Sequence, residues 1–368
     1  MANDNNPYAT PQPLTFRELY EIIDSEFHVE GFMLEFDIPI FSVKTRGPSK
    51  ETFIRLVQKL NPYNLLPLLR RRYGGLVIQV LHKPTERPER GRNIPLILFL
   101  ASVCTVSLSG YFNSHLWSEI FGENIILHSL YFTIALLGIV GLHEMGHKLT
   151  VAKRGLRATS PYFIPGPPYP MGFGTFGALI MQKDPPANRD QLFDIGFSGP
   201  VTGFIIALIV SSIALLGVRF VDQTLVSQLE TQGVEVFELP SSLGLIILNH
   251  LIGVNASPGY VAVIPPIGIA GWIGFVVTFL NLLPAWQLDG GHIARAMFGE
   301  RGHRYASLIG LAIAVATGFW FFALLILFFM GSRRSIELLD DVSPLSTSRK
   351  MLGVLAYIIL VLSAVIFW

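Results

Sequence analysis

Six apolar stretches constrain this chain more than any other feature of its sequence, because each approaches the length that crosses a bilayer. A helix rises about 1.5 Å per residue, so roughly 17–25 apolar residues span the hydrocarbon core. Hydrophobic residues make up 51% of the chain and charged residues only 14%. We therefore predict a polytopic α-helical membrane protein with about six to seven membrane segments. The stretches lie at about 94–112, 125–149, 193–218, 263–288, 306–330 and 350–367.

Composition also argues against several other kinds of protein. The net charge of +1 gives no reason to expect a nucleic-acid partner. The single cysteine, Cys104, excludes an intrachain disulfide and a zinc site built from cysteines. Residues 1–13 are polar and lack the basic and apolar regions of a signal peptide. We predict that they form a disordered tail and that internal helices direct insertion.

A small soluble α+β domain is predicted for residues 14–93, with a transmembrane domain over 94–368. Apolar spacing and turn residues define its elements. Its patterns are a helix at 16–27, an alternation typical of one strand at 31–43, an amphipathic helix through 49–69 with Ser49 as N-cap, and a hairpin around Gly74-Gly75.

Lysine and arginine predict the orientation of the chain, since they concentrate in cytoplasmic connections. The linker at 83–92 is basic, so the N-terminus is predicted to be cytoplasmic. The connection at 219–262 has one arginine against several acidic residues and is predicted to lie outside. The connection after the second apolar stretch is also predicted to be cytoplasmic, from Lys153, Arg154, Arg157, Lys183 and Arg189.

Two interpretations of residues 306–330 remain open. As a single span, this stretch would place Arg333, Arg334, Arg349 and Lys350 outside, against the charge rule. As a helical hairpin broken near 316–320, it keeps those charges inside but leaves two arms too short to cross fully. We favour the hairpin.

The stretch 172–181, GFGTFGALIM, is too short to span and too apolar for an ordinary loop. Its glycines and alternation predict a short re-entrant strand or hairpin. Non-helical backbone is tolerated at membrane depth only when it is buried in protein or lines a wet cavity. Within it, Gly174, Thr175, Phe176 and Gly177 are candidate substrate-binding residues that add the substrate as a strand. The alternative is that the stretch merely plugs a cavity.

The second apolar stretch ends in an H-E-x-x-H motif formed by His143, Glu144 and His147. Residues i and i+4 share one helical face, so both imidazoles can bind one metal ion. Glu144 can then polarise a water. Histidines paired across a helix interface could also produce this pattern. Ionisable groups within a membrane helix are costly and usually functional, which favours the metal site. His115, His128, His250 and His303 lack ligand spacing and are expected to be ordinary loop or interfacial residues.

A third metal ligand has to come from elsewhere, since a catalytic zinc has three protein ligands and one open position. Asp289 is the best candidate, because it follows another apolar stretch predicted to end on the same membrane side as His147. Asp-Gly-Gly is also a plain turn sequence. We predict that Pro284, Gly290 and Gly291 break the helix and turn Asp289 inward.

These two motifs resemble those of the site-2 protease family of intramembrane zinc metalloproteases, peptidase M50. That family has H-E-x-x-H in one membrane segment and N-x-x-P-x-x-x-L-D-G-G in a later one, which begins here at Asn281. The stretches 173–204, 268–292 and 339–350 resemble the branch that lacks a PDZ domain and includes chloroplast and archaeal forms. The connection at 219–262 is too short for a PDZ insertion. The resemblance covers about residues 90–368.

The resemblance implies a role for each motif residue. His143, His147 and Asp289 would bind one Zn²⁺, and Glu144 would act as general base and then as acid. Asn281 would hydrogen-bond the substrate backbone or the oxyanion, although an asparagine here could also be a helix-packing amide. The implied substrate is a transmembrane protein in the lipid bilayer, cleaved at a site open to the cytosol.

Two other functions remain in competition with proteolysis. A membrane metal transporter could use the same side chains, but such proteins often have internal repeats and paired broken helices, and the sequence has no visible repeat. A catalytically inactive membrane scaffold would not need the intact motif. The glutamate beside His143 has an obvious task in hydrolysis and none in transport, so the sequence favours an intramembrane zinc endopeptidase.

Overall fold

The computed structural model describes residues 14–72, 74–83, 91, 93–233, 236, 238–331 and 336–365. The predicted tail at 1–13 and most of the basic linker, including Arg87, Arg90 and Arg92, lie outside these residues, as do Arg333 and Arg334. The chain forms two compact units. Unit 1 comprises the described parts of Met1–Glu89 together with Pro185–Leu192 and Ile336–Ser346. Unit 2 comprises the described parts of Arg90–Asp184, Phe193–Ser335 and Thr347–Trp368.

Unit 1 begins with a helix and a β-hairpin. Helix α1 covers Phe16–Glu26, and a capping box between Thr15 and Glu18 satisfies its first backbone donors. Strands β1 (Phe27–Glu35) and β2 (Ile38–Thr45) follow as an antiparallel pair. The single strand predicted at 31–43 was therefore wrong. Phe36 and Asp37 both have positive φ and form a turn that alternation alone does not reveal.

The amphipathic helix predicted from Ser49 is shorter than expected. Helix α2 covers Ser49–Leu60, and its N-cap is Pro48 rather than Ser49. The Ser49 hydroxyl instead lies 2.8 Å from that of Ser343. A 3₁₀ turn with Pro62 follows, and Asn64 takes a left-handed conformation that ends the helical path. The remainder of the predicted helix is strand.

Strands β3 (Leu65–Arg72) and β4 (Gly75–His82) form the predicted hairpin. Gly74 has a φ of 78°, which glycine adopts without strain. The sheet order is β1-β2-β4-β3. Its core is aromatic and aliphatic, and it includes Leu339, far along the chain. Leu339 is 3% exposed, and its carbonyl accepts the backbone N–H of Leu69 at 2.8 Å.

Unit 2 is mainly helical. Three of the described helices are long and apolar enough to cross a membrane. These are α3 (Ile94–Phe121), α4 (Ile125–Lys153) and α5 (Arg189–Leu216), and the first residues of the third, Arg189–Leu192, belong to unit 1. The prediction of a mainly helical chain with candidate membrane spans and a small N-terminal sheet domain is thus confirmed, while the number of six to seven membrane segments stays a prediction. The later elements are β7 (Arg219–Asp222), α6 (Gln223–Thr231), α7 (Leu243–Ile252), β8 (Tyr260–Val263), α8 (Pro266–Leu282), α9 (Asp289–Ala316), α10 (Trp320–Gly331) and α11 (Thr347–Ser363).

The apolar stretch at 306–330 is divided between two helices. Helix α9 ends at Ala316 and α10 begins at Trp320, with Gly318 at a φ of 87° between them. This is the break predicted near 316–320. The first arm is much longer than expected, because α9 starts at Asp289 and continues through a kink at Gly299, whose φ is 73°.

Strands β5 (Tyr162–Pro165) and β6 (Thr175–Leu179) form an antiparallel hairpin in unit 2. The predicted strand at 172–181 therefore exists and has a partner. Two hydrogen bonds fix the hairpin loop to α3. The Thr105 hydroxyl donates to the Gly174 carbonyl at 2.6 Å, and the Ser109 hydroxyl accepts from the Tyr169 N–H at 3.1 Å.

Candidate metal centre

The H-E-x-x-H motif lies in the second half of α4, a helix whose start is capped by Asn124. The Asn124 side chain accepts the N–H groups of Ile126 and Leu127, which would otherwise be unsatisfied. One turn of this helix separates the two histidines, so their rings lie on one face. His143, Glu144 and His147 are all buried, and one ligand atom of each lies within 4.8 Å of the others.

Asp289 reaches the histidines because the chain bends sharply between α8 and α9. Helix α8 ends at Leu282, and Pro284 follows within the bend. Trp286 has a φ of 48°, an uncommon left-handed conformation for an aromatic residue. Two side chains of α9 hold it there. The Ser307 hydroxyl accepts the Trp286 N–H at 3.0 Å, and His303 Nε2 donates to the Trp286 carbonyl at 2.9 Å.

The two glycines after Asp289 do not break a helix, which corrects the sequence prediction. Gly290 and Gly291 are buried in the first turn of α9, and the break precedes them. A Cβ at Gly290 would lie 2.0 Å from the Leu282 carbonyl oxygen, and one at Gly291 would lie 2.2 Å from that of Trp286. Glycine is required because the bend brings backbone within contact distance of both positions.

The candidate ligand atoms form a nearly equilateral triangle. Asp289 Oδ2 lies 3.2 Å from His143 Nε2 and 3.3 Å from His147 Nε2, and the two Nε2 atoms are 3.2 Å apart. Tetrahedral zinc sites have ligand bonds of about 2.0–2.1 Å, which separates any two ligand atoms by about 3.3–3.4 Å. Two imidazoles and a carboxylate at this spacing fit a single zinc ion with one open position.

The two histidines differ in what surrounds the other ring nitrogen. His147 Nδ1 donates to the Ile195 carbonyl at 2.7 Å, which leaves Nε2 of the neutral ring free to bind a metal. His143 Nδ1 is buried and has no hydrogen-bond partner among the described residues. The Asn281 side-chain amide lies 3.4 Å from His143 Nε2. Asn281 is therefore in contact with the candidate ligands, at the edge of the site.

Helix α5 approaches the candidate ligands with glycines. A Cβ at Gly199 would lie 2.0 Å from His147 Nε2, and one at Gly203 would lie 2.9 Å from His143 Nδ1. At Gly196 it would lie 2.9 Å from the Asp289 carbonyl oxygen. Small residues allow this close approach of helices. The backbone of α5 is thus the wall of the site opposite α4.

The β5–β6 hairpin lies beside Glu144. The Glu144 carboxylate interacts with the backbone N–H of Ile180, the residue that follows β6. Among the described strands, β6 pairs with β5 only, so its other edge has no strand partner. Phe176 is 71% exposed, and a Cβ at Gly177 would meet nothing within 4 Å. Gly174, by contrast, is packed against the backbone of Thr105 and Val106.

The sequence interpretation missed two supports of this site. His303 was expected to be an ordinary loop or interfacial residue, but it is 7% exposed and holds the Trp286 bend. That expectation was wrong because the sequence was searched only for histidines at metal-ligand spacing, and a histidine that donates to a distant backbone carbonyl has no such spacing. Ile195 acts through its backbone carbonyl, which no side-chain pattern could identify. Pro200, five residues later, lies inside α5 and removes the donor to the Gly196 carbonyl, next to Ile195; it was the one visible signal of free carbonyls in this part of the helix.

Comparison with known proteins agrees with this geometry. The model of Peptidase family M50 matches residues 131–325, more than half of the chain. Two similar proteins are the probable zinc metalloprotease EGY1, chloroplastic, of Oryza sativa subsp. japonica and its namesake of Arabidopsis thaliana. Each is 29% identical over 63% of this chain, covering 40% and 42% of its own length respectively.

A third relative is the probable zinc metalloprotease EGY2, chloroplastic, of Oryza sativa subsp. indica. It is 25% identical over 74% of this chain and 50% of its own. The chain therefore spans about half the length of these relatives, or less. The match of the family model contains the H-E-x-x-H motif, Asn281 and Asp289. The resemblance to the site-2 protease family is confirmed, and the chain belongs to Peptidase family M50.

Proposed function

We propose that this chain is a zinc metalloprotease that hydrolyses peptide bonds within or near transmembrane helices of other proteins. The observation that carries the proposal is the triangle of His143, His147 and Asp289 with Glu144 beside it. When bound there, zinc supplies a Lewis acid that polarises the scissile carbonyl and makes water more acidic. His143, His147 and Asp289 would hold that ion.

Glu144 is proposed as the general base and later the general acid. Its carboxylate oxygen lies within 4.8 Å of the histidine nitrogens, which leaves room for a water between them. It takes a proton from that water and then delivers a proton to the leaving amine. Asn281 is proposed to hydrogen-bond the substrate backbone or the oxyanion, supported by its position beside His143.

The hairpin is proposed to bind the substrate as an added strand. Thr175, Phe176 and Gly177 form the start of β6, and Gly174 directly precedes it; the outer edge of this strand has no partner among the described strands. A helix must unwind before its peptide bonds can be attacked, and a strand edge offers main-chain hydrogen bonds to the unwound segment. The approach of Ile180 to Glu144 supports this assignment, because it brings the strand next to the proposed base.

The proposed setting is a lipid bilayer, with a cytoplasmic N-terminus and a site that opens toward the cytosol. Three buried ionisable groups on a candidate membrane helix are tolerated only in a cavity lined by protein. The substrate is accordingly proposed to be a transmembrane protein.

A metal transporter is the main alternative and is less well supported. A transporter has to release the ions that it carries, whereas three ligands at tetrahedral spacing bind zinc firmly. The inactive scaffold is also less well supported, because the ligands and the proposed base are all present and close together.

The test is cleavage of a transmembrane substrate by the purified chain in vesicles. Glu144→Gln should abolish cleavage, by about 100-fold or more, while zinc content stays at the wild-type level. Glu119→Gln, which changes a 63% exposed side chain on α3, is the matched control and should cleave normally. Cleavage that survives Glu144→Gln would exclude the proposed mechanism, and zinc transport by that variant would favour the alternative.

A further inference from the structure

The face of α5 that lines the site is formed by glycines. Gly196, Gly199 and Gly203 contact the candidate ligands through backbone alone. A smooth face of this kind permits close packing but offers no knob that prevents the helix from sliding or rotating. A shift of α5 would move the Ile195 carbonyl away from His147. Buried side chains such as Phe193 and Phe204 anchor other faces of α5, so a contact that holds the Ile195 carbonyl in register has to lie close to Ile195.

Asp194, which directly precedes Ile195, is the charged group best placed to do this. Its carboxylate accepts two hydrogen bonds from Arg349, at 2.7 Å to Oδ1 and 2.9 Å to Oδ2. Arg154, at the C-cap of α4, also donates to Oδ2. Asp194 is 16% exposed and Arg349 20%, so this bidentate pair is largely shielded from water.

The three helices joined by this carboxylate include the one that carries the motif. Arg154 ends α4, Asp194 lies on α5, and Arg349 lies in the first turn of α11. One turn later, Gly353 packs against Phe193 of α5 and Met297 of α9. The end of α5 that faces the ligands is therefore held from both sides, and the planar guanidinium fixes direction as well as distance.

We propose that Asp194 and Arg349 are a positioning pair that sets the register of α5 and, through the Ile195 carbonyl, the orientation of His147. The inference rests on the proposed function only in taking His147 as a zinc ligand. Asp194 does not touch the reacting atoms. It acts on metal affinity and geometry, as the partners of ligating histidines do, where mutation typically costs about 10–100-fold in affinity.

The experiment measures the dissociation constant of zinc for the purified full-length chain by competition with a chelator. Asp194→Asn should weaken binding about 10-fold, and Arg349→Gln should do the same. The matched control is Asp184→Asn. Asp184 forms a comparable pair with Arg157, with contacts of 3.0 and 2.8 Å, in the segment after the hairpin. The zinc affinity of the Asp184→Asn variant should equal that of the wild type.

Activity on a transmembrane substrate separates positioning from general damage. Loss of orientation should lower kcat and leave KM unchanged, since neither residue of the pair belongs to the hairpin proposed to bind substrate. Wild-type zinc affinity in folded Asp194→Asn would overturn the proposal, as would an equal loss in Asp184→Asn. If Asp194→Asn does not fold, Arg349→Gln is judged by the same criterion. In that variant Arg154 still neutralises the Asp194 carboxylate, so the fold is expected to be kept. Tight zinc binding without proteolysis would refute the proposed function and leave this test intact.

Discussion

The core of unit 1 and the candidate metal site of unit 2 are built from opposite kinds of residue. In unit 1, bulky side chains such as Phe27, Phe41 and Phe53 are fully buried and fill the space between helix and sheet. In unit 2, the centre around the candidate ligands is made by glycines, and backbone touches imidazole directly. The first arrangement excludes water from apolar surface. The second brings polar ligands together where lipid gives helices little hydrophobic reason to associate.

This difference predicts opposite sensitivities to the size of a side chain. A core filled by large residues loses stability when one is made smaller, because a cavity remains. A site lined by glycine loses its geometry when even a methyl group is added. The core of unit 1 and the site of unit 2 can therefore be tested with substitutions of opposite kinds.

The largest effect is expected for Gly199→Ala. Its Cβ would lie 2.0 Å from His147 Nε2, so the ring or the helix must move. A displacement of about 1 Å can cost 100-fold in rate, and we expect cleavage and zinc affinity to fall by at least about that factor. Gly138→Ala on α4 is the control, since its Cβ would meet nothing within 4 Å. Normal zinc binding by Gly199→Ala would contradict the close packing of α5.

A smaller effect, confined to unit 1, is expected for Leu339→Ala. Leu339 is 3% exposed and belongs to the core of the sheet domain. Its truncation should cost about 2–3 kcal/mol, seen as faster hydrogen exchange in β2 and β4 of the full-length chain. Leu34→Ala, at a position that is 67% exposed, should leave exchange unchanged. Equal hydrogen-exchange rates in the two variants would show that residues 336–346 do not contribute to the core of unit 1.

The smallest effect is expected from acid in unit 1. Burial raises the pKa of Glu26, but hydrogen bonds from Lys59 and Arg55 outweigh it, so the pKa lies below its ordinary value of 4.5. Its stabilisation is therefore present above pH 4.5 and is lost as pH falls through the lowered value. Glu26→Gln should lower the free energy of unfolding of unit 1 by about 1–2 kcal/mol at neutral pH. It should also weaken the loss of stability at acid pH, measured by hydrogen exchange. If the variant loses stability at acid pH as the wild type does, Glu26 is not responsible for the acid sensitivity of unit 1.

Local patterns predicted the parts of the molecule that depend on near neighbours. The hairpin at Gly74-Gly75 and the break at Gly318 follow from glycine conformations within a few residues. Ser49 was misassigned because a cap depends on one backbone angle, and 65–69 because short apolar runs fit helix and strand alike. The meeting of His143 with Asp289 was predicted from two motifs and a family resemblance.

Other features depend on contacts that no local pattern encodes. Arg70 donates to the Leu339 carbonyl across 269 residues of sequence, and nothing near either residue specifies the other. The Ile195 carbonyl and the Trp286 bend are features of the backbone, so the types of these residues do not predict them. Close helix packing at Gly199 follows from its small size, but its partner, His147 Nε2, is identified only once α4 and α5 are adjacent.

The zinc content of Asp289→Ala tests the central claim most directly, because this residue completes the proposed ligand set from a distant part of the chain. We predict one zinc per wild-type chain and a loss of affinity of at least about 100-fold in the variant, with Asp184→Ala unaffected. A folded Asp289→Ala protein that keeps wild-type zinc affinity would contradict the account, since His143 and His147 would then need a different third ligand.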